Sequence, residues 1–346
     1  MISLKNIKLD DVSASDISNE YVYYQSSADE HKFQMAEDEE FYLGLQLTRA
    51  QKDYLVSVGQ PPEANNKIRP AVEQVLSNVA GASPEWDVRP TGKTDSEVAF
   101  VYNKLLDKIW YESDGDRHFR TIVKDYTIKG LGYMYVYPDW QAEQGRGGIK
   151  VKRVAPENMY VDPNSTDPFF RDAASIMLSD TSTKESMKVM FPEHANEIED
   201  AHEDYRDDDY ATSKYNRDDI IRRSDVNDDG QPKVRRFIRW SKVSEEQILL
   251  TDKLTKRQKS FNKEQYDEFK STKRYKAYIQ NNQVEEEKIF ITRVRESFVI
   301  GDALIYDIVL PLEDYPIVPC CNEHNGNPYP AGDVRHAKTP QRMLNR

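Results

Sequence analysis

The sequence predicts an α+β chain, and two observations carry that expectation. Apolar residues recur at helical spacing from about residue 39 to Gly130, and at Tyr133-Met-Tyr-Val-Tyr137 the period changes from about 3.6 to 2. The composition agrees. Of 346 residues, 38% are hydrophobic and 31% charged, which is polar, yet 11% aromatics argues against general disorder. A chain of this length carries a prior of about two domains.

Each element has a local reason. Residues 1–38 are polar, with acids at Asp29, Glu30, Glu37 and Asp38, and read as an arm. Leu43, Leu47, Ala50 and Tyr54 then share one helical face, and Gly59 with Gln60-Pro61-Pro62 stops that helix. A second helix follows a cap at Asn65 or Asn66. Ile68, Val72, Val75 and Val79 share its face, and Gly81 closes it. Trp86, Val88 and Pro90 form an extended piece. Thr94-x-x-Glu97 is a capping box, and Val98, Val101, Tyr102, Leu105, Leu106, Ile109 and Trp110 are the expected buried face of a third helix. Phe119, Ile122, Val123 and Tyr126 make a fourth, ended by Gly130 and Gly132.

The strands follow. Tyr133–Tyr137 and Ile149–Val154 read as a hairpin around the Gly145–Gly148 turn. Asp162-Pro163-Asn164-Ser165 is another turn, and Phe169–Leu178 a strand. Ser182-x-x-Glu185 caps a short helix carrying Met187 and Met190. Further strands are expected at 234–243, 246–250, 289–294, 298–300 and 303–310, with 316–319 extended, and a helix begins near Gln341.

Charge and cysteine usage exclude several classes. Lys+Arg is 48 and Asp+Glu 60, a formal charge of −12, so a strongly basic nucleic-acid binder is not expected. No apolar run reaches the ~18 residues of a membrane span, and the first residues lack a secretory apolar core. The two cysteines, Cys320 and Cys321, are adjacent, where bridging is strained. They read as two buried thiols on a strand in a reducing compartment.

Sites of chemistry are sparse. Cys320-Cys321-x-x-His324 lacks the second ligand pair that tetrahedral zinc needs. Asp225-x-Asn227-x-Asp229-Gly230 begins like a calcium loop, but its twelfth position is Arg236, a cation, so it reads as a turn. Lys129-Gly130-Leu131-Gly132 runs helix, glycine, strand, the reverse of a phosphate loop. Residues 193–210 hold nine acids against one Arg. They could supply a two-metal nuclease, with Asp207, Asp208 and Asp209 at its centre, but a single polar run reads more simply as solvated surface. From Lys253 to Lys276 there are nine Lys/Arg and three acids, interleaved with Phe261, Tyr266, Phe269 and Tyr275. That segment, with Lys256, Arg257, Lys259, Lys273 and Arg274, is an amphipathic surface, a nucleic-acid contact or a subunit interface. No enzyme site and no cofactor is expected.

The order of features resembles one family. Phe41, Gly59-Gln60-Pro61, Asn66 with Ile68, Gly81 and Trp86-Asp87-Val88-Arg89-Pro90 come in sequence. The Ala99-centred helix, Gly130-Leu131-Gly132 and Ile149–Val154 follow. Then come Tyr160-Val161-Asp162-Pro163-Asn164-Ser165 and Asp172-Ala173. Tyr315-Pro-Ile-Val-Pro319, Gly332-Asp333-Val334-Arg335, Gln341 and Asn345 complete it. This series resembles the portal proteins, or head-to-tail connectors, of tailed bacteriophages, most nearly the large portals of short-tailed phages. It covers about residues 40–180 and 290–346, with order alone linking the rest.

The resemblance implies a structural subunit of a virion, not an enzyme. Twelve copies would form a homo-oligomeric ring at a capsid vertex, through which double-stranded DNA enters and leaves. Terminase, the major capsid protein and tail or adaptor proteins would be its partners, with no membrane. It would assemble in the host cytoplasm. It also implies a wing domain at 39–180 of helices on a small mixed sheet, after the arm at 1–38. A charged wing or stem region would span 181–284, a β-rich clip-like segment 285–332, and the start of a stem helix 333–346. Such portals continue well beyond this point, so the sequence is expected to be an N-terminal part.

Overall fold

The computed structural model describes residues 12–79, 81, 84–90, 95–140, 142–201, 233–253, 258–271, 275 and 284–345. Its first element overturns an expectation. Residues 14–38, read as part of an arm, belong to helix α1 (Ala14–Leu43). Ser13 caps it: Asp16 N–H donates to Ser13 Oγ at 3.2 Å, and Ser13 N–H to Asp16 Oδ2 at 3.1 Å. Ile17, Tyr21, Tyr24, Ala28 and Met35 form its inward stripe and sit in the main core. Lys32, Asp38 and Glu40 are buried on the same helix. Those interior charges diluted the apolar pattern and gave the segment the look of a solvated arm.

The helix expected from 39 to 59 is broken. α1 ends at Gly44, and Thr48 starts α2 (Arg49–Ser57) with a capping box to Gln51 at 2.9 and 3.3 Å. Leu47 is buried in the link between them, while Leu43 is exposed. In α3 (Ile68–Val79) the inward residues are Ile68, Val72 and Leu76, and Val79 is open. α4 (Ser96–Glu112) departs most from its expected packing. Asp95 holds the cap position without a side-chain bond, and only Ala99 is buried. Val98, Val101, Tyr102 and Leu105, read as core, are exposed. Thr94 lies outside the described residues.

α5 (Gly115–Lys129) runs into β1 (Leu131–Asp139) through Gly130, as the glycine pair predicts. β1 forms a hairpin with β2 (Gly148–Val154), Tyr133 opposite Val154, with the short α6 (Ala142–Gly145) in the loop. β9 (Ile317–Cys321) covers the other edge of β1, so this sheet runs β2-β1-β9. A second sheet orders β3 (Met159–Val161), β4 (Ser175–Thr183), β5 (Lys233–Asp252), β7 (Val284–Ile300) and β8 (Ala303–Leu310), with β6 (Gln258–Phe261) on β5. The α+β class holds. All pairings are antiparallel, so neither sheet is mixed.

Strand boundaries also shift. Phe169–Ala173 is a turn, with Phe170 at φ 57°, and the strand begins at Ser175. The separate strands expected at 234–250 are one 20-residue β5, and those at 289–300 are one 17-residue β7. β4 pairs with β5 along Ser175–Thr183, and β5 with β7 along Arg236–Asp252. The expected borders near 180 and 284 therefore cut through one hydrogen-bonded sheet. Thr183, rather than Ser182, caps α7 (Lys184–Met190). Met187 is buried there and Met190 is not. α8 (Ala195–Asp200) follows, and α9 (Lys263–Ser271) lies beside β5 and β6. Cys320 is exposed and Cys321 half-buried, so the expected buried pair is corrected.

The main core lies between α1 and both sheets. Trp240, Tyr133, Tyr160 and Phe170 are its largest buried side chains, each contributing roughly 1.5–3 kcal/mol by burial. A second core joins Phe41, Tyr42, Ile68, Val72, Val123 and Ile128 to Val334 of α10 (Asp333–Leu344). The last helix thus packs on α1, α3 and α5.

Candidate functional site

Several residues of the family-like series meet where α10 docks. Asn66 caps α3: its Oδ1 accepts from Ile68 N–H at 3.1 Å and Arg69 N–H at 3.2 Å, and its Nδ2 donates to Tyr42 O at 3.0 Å. Gln341 is buried beside it. Its Nε2 donates to Asn65 O at 2.7 Å, and its Oε1 accepts from Lys67 N–H at 3.0 Å. Asn345 adds a clasp, accepting from Asn65 N–H at 3.1 Å and donating to Gln46 Oε1 at 2.6 Å. One turn of α10 therefore satisfies the backbone that leads into α3.

The glycines serve the same junction. Gly130 has φ +87°, and a Cβ there would lie 2.5 Å from the Ala331 carbonyl carbon and 2.7 Å from Gly332 N. A Cβ on Gly332 would lie 2.6 Å from the Ile128 carbonyl carbon. Gly132 packs as closely on Ile122, at 2.6 Å. The α5–β1 turn and the start of α10 can approach this closely only without side chains. Asn322 N–H donates to Gly130 O at 2.9 Å and seals the contact.

An ion network crosses from α10 to α1. Lys338 Nζ lies 2.6 Å from Glu37 Oε2 and 2.7 Å from Asp38 Oδ1. Arg335 reaches Asp38 Oδ2 at 3.1 Å, and Arg342 reaches Glu37 Oε1 at 2.9 Å. Burial pushes the Asp38 carboxyl above its usual range, while Lys338 and Arg335 pull against that. A second network starts from the next residue of α1, Glu39. Lys129 is buried against Glu157, with Glu39 at 3.1 Å and Asp125 at 3.9 Å. Burial opposes its charge, but these acids prevail and raise its pKa. The same pairing holds Glu157 below its usual value against the effect of burial.

Other predicted positions lie apart. Gly59, Gln60 and Pro61 close α2, with Gln60 N–H donating to Leu55 O at 2.8 Å and Pro61 O accepting from Glu63 N–H at 2.9 Å. Asp162 builds its own turn, accepting from Asn164 N–H at 2.9 Å and Ala174 N–H at 3.1 Å. Pro163 lines a cavity of about 140 Å³ with Ser27, His31 and Tyr329. Lys259 is exposed on β6, its ammonium 4.8 Å from the Phe261 ring centroid. Lys256, Arg257, Lys273 and Arg274 lie outside the described residues, as do Asp207–Asp209 and the loop at 225–230. His194 Nδ1 meets Glu197 Oε2 at 2.9 Å. Among the described residues no group of three or more His, Cys, Asp or Glu could hold a metal. Burial raises the Cys321 thiol to about 12, which leaves it little thiolate character.

Glu39, Glu157 and Lys338 were not singled out from sequence, while Glu37 and Asp38 were read as acids of an arm and Lys129 as part of a helix stop. The signal that existed was the α1 stripe 17/21/24/28/35, in which Lys32 takes the missing position. The Lys32 ammonium lies 2.9 Å from the Tyr160 ring centroid.

A family model described as phage P22-like portal protein matches residues 19–346. The chain belongs to that family. The match runs from within α1 to the end of α10, through both networks. No curated protein matches the portal chain. Membership makes it a structural protein of a phage virion, a subunit of a homo-oligomeric ring that has capsid and DNA as partners. Among the described residues no portal helix is long and apolar enough to cross a membrane.

Proposed function

We propose that twelve copies of this portal form a closed ring at one capsid vertex and that the ring encloses the channel for double-stranded DNA in packaging and ejection. Terminase docks on it while the genome enters, and tail or adaptor proteins dock afterwards. Assembly takes place in the host cytoplasm. The single observation that supports this best is the family match across 19–346. The charge of −12 supports it on physical grounds. Each phosphate neutralised by a cation adds salt-dependent affinity, and DNA must slide through a channel, not stick to it. The basic segment around Lys256, Arg257, Lys259, Lys273 and Arg274 is then a local contact with DNA or with a neighbouring subunit.

Within the ring, Gln341, Arg335, Gly332 and Gly130 fix the direction in which α10 leaves the body as the start of a stem. Gly59, Gln60, Pro61, Asn66, Gly132, Asp162 and Pro163 shape the wing around it. Negative-stain microscopy of the full chain, expressed with its capsid protein, tests the proposal. Twelve-fold rings at a single vertex are the expected result. A chain that stays monomeric alone and in capsids would overturn it.

A further inference from the structure

Helix α4 carries two apolar stripes, and the described residues cover one of them. On the covered side Ala99 is buried and Asn103, Leu106 and Trp110 are half-buried. Asn103 holds Val88 by both backbone groups, at 2.9 and 3.4 Å. On the adjacent side Val98, Val101, Tyr102 and Leu105 are 52%, 63%, 54% and 43% exposed. Their spacing is i, i+3, i+4 and i+7, the pattern of a core-facing stripe.

Tyr102 alone can bury roughly 150–250 Å², and Val98, Val101 and Leu105 join it in one contiguous stripe. A contiguous apolar stripe of this kind falls in the class of patches, roughly 300–600 Å² on a typical monomer, that are often interaction sites, and it would be one part of a larger contact. The polar rim is already compensated. Lys104 lies 3.3 Å from Asp107, and Lys108 lies 3.7 Å from Glu112. A face of apolar side chains with paired charges suits a protein surface and not a phosphate backbone.

We infer that the outer stripe of α4 is buried against a second copy of this chain, as part of the contact between neighbours in the ring. The inference rests on the ring reading above. A ring contact is heterologous, so the stripe must meet a different surface on the next copy. The chain has a second open apolar surface of that kind. α2 has no buried residue, and Tyr54 and the C-cap Val58, one turn apart on one side, are 66% and 51% exposed.

The test uses the full chain. Val101→Asp and Leu105→Asp, made separately, are expected to lower the ring fraction in sedimentation velocity at least tenfold. Because both positions are open in the subunit, its melting temperature should stay within about 2 °C of the parent. A second measurement does not depend on disrupting the contact. In a Cys320→Ser, Cys321→Ser background, Val101→Cys should react with a maleimide at least tenfold more slowly in rings than in free subunits. If rings form normally with Val101→Asp, or if Val101→Cys reacts equally fast in both states, the inference is overturned and the ring reading stands. If the parent chain forms no ring, the ring reading falls and takes the inference with it.

Discussion

The Lys338 ammonium lies 2.7 Å from Asp38 Oδ1, where the Asp38 side chain has no exposure to solvent. The pair joins α10 to α1, and Glu37 and Arg335 complete it. Desolvating such charges is costly, and the pairing roughly offsets that cost only while every partner is present. Lys338→Met leaves Asp38 only Arg335 and Glu37 only Arg342, strands Asp38 Oδ1 in the interior, and should cost about 3–5 kcal/mol in chemical denaturation. Adding Asp38→Leu should recover part of that loss, because the stranded charge is gone. The two single losses should thus exceed the double by at least about 1 kcal/mol. Strict additivity would show that the pair does not hold the junction.

Gly130 and Gly59 both have positive φ, at +87° and +78°, and they predict different outcomes. Around Gly59 nothing lies within 4 Å of a Cβ, so Gly59→Ala should cost only the backbone strain, about 1–2 kcal/mol. Gly130→Ala also drives a methyl into the backbone of Ala331 and Gly332. It should lose several kcal/mol more, since packed backbone cannot give way as a side chain can. Thermal melts of the two variants check this. Equal shifts would mean that the α5–β1 turn is not pressed against α10.

Gln341 bonds the backbone on both sides of Asn66 through one amide. Gln341→Leu keeps the volume but leaves Asn65 O and Lys67 N–H without that partner. Both bonds are part-buried, so at about 0.5–1.5 kcal/mol for each the variant should lose roughly 1–3 kcal/mol. Hydrogen exchange should localise the loss to the start of α3 and to α10. A loss spread evenly over both sheets would argue against a local clasp.

How far the sequence went follows from where charge and apolar character sit. Ile122, Val123 and the Gly130 stop marked α5 because its apolar stripe and its end signal agree. Tyr133–Tyr137 marked β1 because five β-favouring residues follow a glycine. α1 stayed hidden because Lys32, Asp38 and Glu40 are interior charges, and the partners of Lys32 and Asp38, Glu157 and Arg335, lie more than a hundred residues away. The α4 stripe misled in the opposite way: Val98 and Val101 have the spacing of core residues but face outward. The glycines and Gln341 stood out from sequence by their order, yet that they meet in one junction follows from packing of α10 that no local pattern records.

Asp172 gives the pH dependence a sign. Ser165 Oγ donates to its carboxylate at 2.6 Å, Thr166 N–H at 2.7 Å, Thr166 Oγ1 at 2.9 Å and Asp167 N–H at 3.1 Å. Burial is the largest single influence and opposes the charge, but the donors together outweigh it and lower the pKa from 3.8 to about 2. A carboxyl depressed on folding contributes stability that is complete above its unfolded value and lost as pH falls toward the folded one. The contribution should therefore be full above about pH 4 and fade toward pH 2. Asp172 is exposed, so screening trims it to about 1 kcal/mol. Asp172→Asn should be less stable than the parent by about that much at pH 6, and the gap should narrow steadily between pH 4 and pH 2. Urea melts across that range measure it. A gap as wide at pH 2 as at pH 6 would mean that the deficit comes from the altered shape of the turn and not from the charge.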